Sequence, residues 1–177
     1  MQRRCTTPDG IGGYFAWGET KSDTELGKTN YAWSTYQLCN GSENTLTKYT
    51  ATDGKTVLEA VDDVATVKWG SNWQMPSKEQ FEELLNSEYT TTIWTTSNNV
   101  FGWLIISKKN SKSIFLPAAG RYVGANLSDA GSKGYYWSCS LSDDYSDCGC
   151  YLYIESGTYF THGSDRYRGQ SIRPVRM

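Results

Sequence analysis

Residues 90–117, TTTIWTTSNNVFGWLIISKKNSKSIFLP, decide the fold class. β-branched and aromatic residues dominate three short runs, at 91–96, 100–107 and 113–116. Such side chains suit the pleated surface of a sheet. Ser97-Asn98-Asn99 supplies the small polar residues of a hairpin loop between the first two runs. Runs this short, joined by turn formers, predict antiparallel strands.

Upstream of that stretch the pattern is helical. Thr56 and Glu59 have the spacing of a capping box, and Leu58, Val61, Val64 and Ala65 follow at helical intervals. Gly70 ends that helix after Trp69. Ser77 and Gln80 repeat the box with Pro76 just outside, and Phe81, Leu84 and Leu85 give the second helix its apolar stripe. Residues 1–55 have weak periodicity and many turn formers (Gly12-Gly13, Asn40-Gly41, Asp53-Gly54), pinned by Trp17, Tyr31, Trp33 and Tyr36.

Downstream, a Gly/Ser-rich loop is expected over 120–134, and Tyr135-Tyr136-Trp137-Ser138 opens a further strand. Residues 150–154 alternate, with Leu152 and Ile154 on one side and Tyr151, Tyr153 and Glu155 on the other. Ser171-Ile172-Arg173-Pro174-Val175 closes the chain, and no repeat of 20–50 residues is visible. The expectation is a single α+β domain over residues 1–177, with two helices, short antiparallel strands and long irregular segments.

Composition narrows the function classes. With 177 residues, 38% hydrophobic and 20% charged, the chain has room for one core. A net charge of −2 offers little counterion release, which argues against a nucleic-acid partner. No run approaches 18 apolar residues, so no membrane-spanning helix is expected. The two arginines near the start lack a following apolar stretch, so no secretory signal is read there. The five cysteines, Cys5, Cys39, Cys139, Cys148 and Cys150, are odd in number and form no CxxC pair. That excludes a complete disulfide framework and a zinc ribbon, while one bridge from Cys139 to Cys148 or Cys150 stays open.

Catalytic signals are absent. The single histidine, His162, lies in a Thr-His-Gly-Ser tract that reads as loop, with nothing to orient the imidazole for a triad. Asp62-Asp63 reads as a solvated helix face. Asp143, Asp144 and Asp147 lack the Gly and distal Glu of a calcium loop. No phosphate-binding Gly-rich loop occurs. No cofactor, metal site or catalytic residue is expected.

Residues 142–168 differ from the rest. They hold five Tyr, four Ser, four Asp and three Gly, so 16 of 27 positions come from these four types. That mixture resembles an antibody paratope, in which Tyr gives large amphipathic contact area and the small polar residues give adaptable hydrogen bonds. The same tract contains no Lys, Gln, Met or Trp, and Glu only at Glu155. Ser142, Asp143, Asp144, Tyr145, Asp147, Tyr151, Tyr153, Tyr159, Phe160, Thr161, His162, Asp165 and Arg168 are the candidate ligand contacts. The bland alternative is a Tyr-rich edge strand with polar loops.

Several motifs resemble one family in order. Tyr14-Phe15-Ala16-Trp17-Gly18-Glu19-Thr20, Cys39-Asn40-Gly41-Ser42 and Leu46-Thr47-Lys48-Tyr49 are similar to its signatures. So are Leu58-Glu59-Ala60, Asp62-Asp63-Val64-Ala65-Thr66 and Trp69-Gly70-Ser71-Asn72-Trp73-Gln74-Met75-Pro76. Leu116-Pro117-Ala118-Ala119-Gly120, Gly134-Tyr135-Tyr136-Trp137-Ser138 and Gly169-Gln170-Ser171-Ile172-Arg173-Pro174-Val175-Arg176 complete the likeness. The chain thereby resembles the Fibrobacter succinogenes major paralogous domain family, from about Tyr14 onwards. The resemblance implies a C-type-lectin-like fold, related to formylglycine-generating enzymes, and a cell-surface, secreted or phage-borne setting. It departs from the family after Leu141, and an upstream strand is represented only by Cys5-Thr6-Thr7-Pro8. Without that strand, the segment 172–175 is expected to lack a partner.

The same fold serves variable proteins of diversity-generating retroelements, whose C-terminal segments are rewritten at template adenines. AAY codons can become Tyr, Ser, Asp, His, Gly, Cys, Arg, Phe or Thr, but not Lys, Gln, Met, Trp or Glu. Residues 142–168 fit that set with Glu155 as the exception, leaving Leu152, Ile154, Arg166, Tyr167 and Gly169 as scaffold. The expected function is non-enzymatic binding of a protein or glycan ligand, as an adhesin or receptor. The alternatives are a formylglycine-generating-type oxidase, for which the spacing of Cys139, Cys148 and Cys150 does not match, and a structural surface domain.

Overall fold

The computed structural model describes Thr7 and residues 9–177. Cys5 and most of the segment expected to end an upstream strand lie outside these residues. The described chain is α+β, with few helices and many antiparallel strands in small sheets.

Among the described residues three α-helices form, each with its own start signal. A short α1 (Asp23–Leu26), not anticipated from sequence, is capped by Ser22 with Glu25 closing the box, and ends at left-handed Gly27. The second, α2 (Val64–Trp69), is capped by Asp63, whose Oδ1 accepts the Ala65 and Thr66 N–H groups at 2.8 and 3.0 Å. The expected start at Thr56 is therefore wrong. Residues 56–58 bond a strand instead: Leu58 N–H donates to the Cys139 carbonyl at 2.9 Å, and Leu141 N–H donates to Thr56 at 2.7 Å. Backbone groups committed to that bridge cannot join a helix. Val61, counted in the helical stripe, is 69% exposed. After β1 (Trp73–Gln74), α3 (Lys78–Leu84) begins at the Ser77–Gln80 box as expected and buries Phe81.

The opening stretch forms β2 (Thr90–Ser97), β3 (Val100–Ser107) and β4 (Ser113–Pro117), paired in that order. Asn98 and Asn99 make the turn with φ of 47° and 65°, the left-handed region that Asn tolerates. The expected loop at 120–134 contains a small hairpin, β5 (Arg121–Val123) with β6 (Asn126–Ser128). The last sheet is β7 (Lys133–Leu141), β8 (Cys148–Glu155) and β9 (Thr158–Asp165). His162 is consequently in a strand, not a loop. Its neighbours Thr161, Gly163 and Ser164 are too small or polar to display an alternating pattern. The closing segment does have a partner: β10 (Val175–Arg176) pairs with β1.

The β7–β8–β9 sheet is packed on both faces. Tyr135, Trp137, Tyr151 and Tyr153 join Phe15, Trp17, Tyr49 and Val64 on one face. Tyr136, Leu152 and Ile154 meet Phe81, Leu85, Trp103 and Leu116 on the other. Trp17 lies so close to β8 that a Cβ on Gly149 would stand 2.5 Å from its ring. Trp17 Nε1–H donates to the Ser138 carbonyl at 2.9 Å, and Trp137 Nε1–H donates to Phe15 at 2.8 Å. Phe15 and Gln170 exchange both backbone hydrogen bonds at 2.9 Å. Fully buried Arg166 stacks 4.8 Å from Trp17 and donates to the carbonyls of Lys48 and Tyr49. Among the described residues no helix is long and apolar enough to cross a membrane.

Candidate ligand-binding surface

Among the described strands, β9 is an edge of its sheet, and its side chains alternate between two environments. Phe160 lies opposite Tyr153 and His162 opposite Tyr151. Phe160 stacks on Tyr153 at 4.5 Å with an interplanar angle of 15°, and His162 meets Phe160 edge-on at 6.3 Å. On the reverse face, Tyr159 donates its hydroxyl to the Leu85 carbonyl at 3.2 Å and packs edge-on against Trp103 at 5.1 Å. Thr161 Oγ1 donates to Glu82 at 3.0 Å. Tyr159 and Phe160 nevertheless remain 42% exposed each.

A shallow cleft of about 540 Å³ opens between α3 and β9, with Glu82, Leu85, Asn86, Tyr159, Phe160 and Thr161 among its walls. Glu82 and Asn86 lie outside the sequence-chosen tract. Nothing in their local pattern marks them, since Glu82 is an exposed position of a short helix and half-buried Asn86 follows its end.

The turn before β8 carries the remaining candidates. Ser142 N–H donates to the Cys148 carbonyl at 3.0 Å, and Cys148 N–H donates to Tyr145 at 3.1 Å, closing the turn. Asp143 pairs with Lys78 at 2.8 Å, Asp144 is exposed, and Tyr145 is 66% exposed. Asp147, Cys148 and Asp165 bring ligand atoms within 4.8 Å of one another. Arg168 occupies Asp165 through Nε at 2.8 Å and a terminal nitrogen at 2.7 Å.

The structure corrects two expected contacts. Tyr151 and Tyr153 are each 8% exposed and belong to the core cluster with Trp137. Residues of an inner strand have neighbours on both sides, and here the N-terminal aromatic segment covers the Tyr face as well. The other candidates divide into three groups. One is the strip of β9 over 159–162, another is the turn at 142–145, and the third comprises Asp147, Asp165 and Arg168 beside that turn, where β8 begins and β9 ends.

Among the described residues the cysteines are free: Cys39, Cys139, Cys148 and Cys150 form no bridge. Burial pushes the thiols of Cys139 and Cys150 up to about 11 and that of Cys148 to about 12, with Asp147 and Asp165 adding to the last. At neutral pH all three are protonated and weakly nucleophilic.

Compared with family models, curated proteins and solved structures, the chain matches none.

Proposed function

We propose that this chain is a non-enzymatic ligand-binding domain of adhesin or receptor type, with a C-type-lectin-like scaffold akin to the Fibrobacter succinogenes major paralogous domain family. It contacts its protein or glycan ligand through β9 and the turn at 143–145. The observation that carries this reading is the partial exposure of Tyr159 and Phe160 on opposite faces of an edge strand that is itself anchored to a buried sheet. Large rings held in fixed orientation give contact area at low entropic cost, which is what binding hot spots need.

Diversification of this tract accords with how burial divides it. Leu152, Ile154 and Arg166 are fully buried, and a Cβ on Gly169 would stand 2.6 Å from the Tyr31 ring. Those are positions where change would be costly, while Tyr145, Tyr159, Phe160 and His162 are exposed. Gly149, Cys150, Tyr151, Tyr153 and Ser164 are buried as well and join the fixed set. A surface-displayed, secreted or phage-borne setting follows from the family likeness.

The test is a protein and glycan array probed with the wild-type chain and with a Tyr159→Ala/Phe160→Ala/His162→Ala variant. Binding to at least one array member that the variant loses by tenfold or more supports the reading. Hits retained in full by a folded variant overturn it.

A further inference from the structure

We infer that the outer edge of β9 docks an extended peptide segment of the protein ligand, which adds a strand to the β7–β8–β9 sheet and places a lysine or arginine side chain beside Glu82. The inference rests on the β9 surface proposed above and narrows its ligand to a basic, extended polypeptide.

The strand register determines which backbone groups are open. Glu155 and Thr158 flank the turn at Ser156-Gly157, and pairing runs without a shift from there to Cys148 and Asp165. So short a turn makes Glu155 and Thr158 a hydrogen-bonded pair, and every second residue of β9 then aims its N–H and C=O at β8. Arg166 keeps the same phase beyond the strand, where its N–H donates to the Asp147 carbonyl at 3.1 Å. The backbone groups of Phe160, His162 and Ser164 are therefore taken by β8, and those of Tyr159, Thr161 and Gly163 face outward. Among the described residues no strand lies on that side, and no backbone hydrogen bond reaches these three from it. The Gly163 carbonyl lies 2.9 Å from His162 Nδ1, so Tyr159 and Thr161 are the open positions. Natural sheets usually blunt such an edge with lysine, proline or a bulge. Residues 158–165, Thr-Tyr-Phe-Thr-His-Gly-Ser-Asp, contain none of the three.

The chemistry beside the edge selects the occupant. A residue added opposite Thr161 shares its face of the sheet, and that face opens into the α3–β9 cleft. There Glu82 Oε1 accepts the Thr161 hydroxyl at 3.0 Å. Exposed Glu79, Glu82, Glu83 and Glu88 lie on α3 or just after it, and none makes a salt bridge among the described residues. The cations at hand are engaged: Lys78 pairs with Asp143 at 2.8 Å, and Lys108 donates to the Ser87 carbonyl at 2.6 Å. Charge complementarity thus favours a basic side chain in the cleft. The next residues of the added strand fall on the opposite face, over exposed Phe160 and His162, where an apolar side chain fits. Backbone bonds supply affinity in such strand addition and the alternating side chains supply specificity. A second copy of β9 brings no lysine or arginine over 158–165 and leaves the carboxylates uncompensated.

The full chain, labelled with ¹⁵N, is titrated at pH 7 with the peptide acetyl-TRVRVRT-amide. Its controls are a copy N-methylated at the central backbone amides and the acidic counterpart acetyl-TEVEVET-amide. Saturable binding of the basic peptide is expected, with both controls weaker by about tenfold or more. Amide hydrogen exchange reads the edge directly. Phe160 and His162 should be protected in the free chain, and Tyr159 and Thr161 only once the peptide is bound. Glu82→Gln should weaken the peptide by about tenfold while leaving the free chain's exchange pattern as it was. No saturation by about 1 mM overturns the inference, as does equal binding of the N-methylated copy or binding that leaves Tyr159 and Thr161 unprotected. Self-association in sedimentation with those two amides already protected overturns it as well. An array hit that depends on Tyr159, Phe160 and His162, alongside failure of the peptide, strikes this inference and leaves the β9 surface reading standing.

Discussion

Phe160 lies almost parallel on Tyr153, centroid to centroid 4.5 Å, yet the first ring is 42% exposed and the second 8%. One aromatic step thus joins the candidate surface to the core. The outer ring can be removed with little structural consequence, whereas the inner one is shared with the packing around Trp137.

Phe160→Ala should cost about 1 kcal/mol, the scale of an exposed stacked aromatic pair. Tyr153→Ala should cost about 3–5 kcal/mol, as other buried aromatic truncations do. Urea denaturation of the two variants checks the contrast. Equal losses would mean that the burial difference does not govern their energetics.

Gly149→Ala places a methyl group against the Trp17 ring, where a Cβ would stand 2.5 Å from the nearest ring atom. Overpacking of this kind costs about 1–3 kcal/mol. Near-ultraviolet circular dichroism should report the displaced indole, and thermal melts the lost stability. An unchanged spectrum would show that the sheet yields without disturbing Trp17.

Asp63→Ala removes three acceptor contacts at once, because the same carboxylate caps α2 and accepts the Met75 N–H at 2.8 Å. Loss of a cap together with a buried charge-assisted hydrogen bond should cost about 3 kcal/mol. Asp63→Asn keeps an oxygen and should recover part of that. Chemical denaturation of the pair measures it, and a loss below 1 kcal/mol for Ala would contradict the assigned role.

Alkaline pH should destabilise the fold through its buried thiols. Cys139 and Cys150 rise from about 9 to about 11, and Cys148 to about 12, as burial disfavours the thiolate. The unfolded chain ionises first, so this contribution is whole below about pH 9 and is lost as pH climbs through 11 to 12. Denaturation midpoints should hold between pH 7 and 9 and fall above it. Replacing the three cysteines with Ala should flatten part of that fall; an unchanged slope would assign it to other groups.

What could be read from sequence depended on whether the signal was local. Ser77–Gln80 and Asn98-Asn99 each contain the whole of their physics within four residues, and both elements form as expected. Thr56–Glu59 has the same box spacing, but Leu58 bonds Cys139 across the fold, and a distant strand overrides the local preference. The alternation through 150–154 was legible as two faces. That both faces are covered was not, because the covering residues, Phe15 and Trp17 on one side and Phe81 on the other, come from remote segments. Tyr159, Phe160 and His162 emerged from composition alone. Glu82 could not, since only the folded chain brings it to Thr161 in that tract.

The mutual hydrogen bonds of Phe15 with Gln170, and those of Arg166 with Lys48 and Tyr49, bear on the order of assembly. Contacts such as Arg166 to Lys48, 118 residues apart, carry a loop-closure cost before any packing offsets it. During synthesis the early aromatic segment must wait, its apolar rings uncovered, until the last strand has formed. Topologies dominated by such pairings fold slowly. The exposed interval, rather than the finished molecule, is therefore when this chain most needs protection from its neighbours.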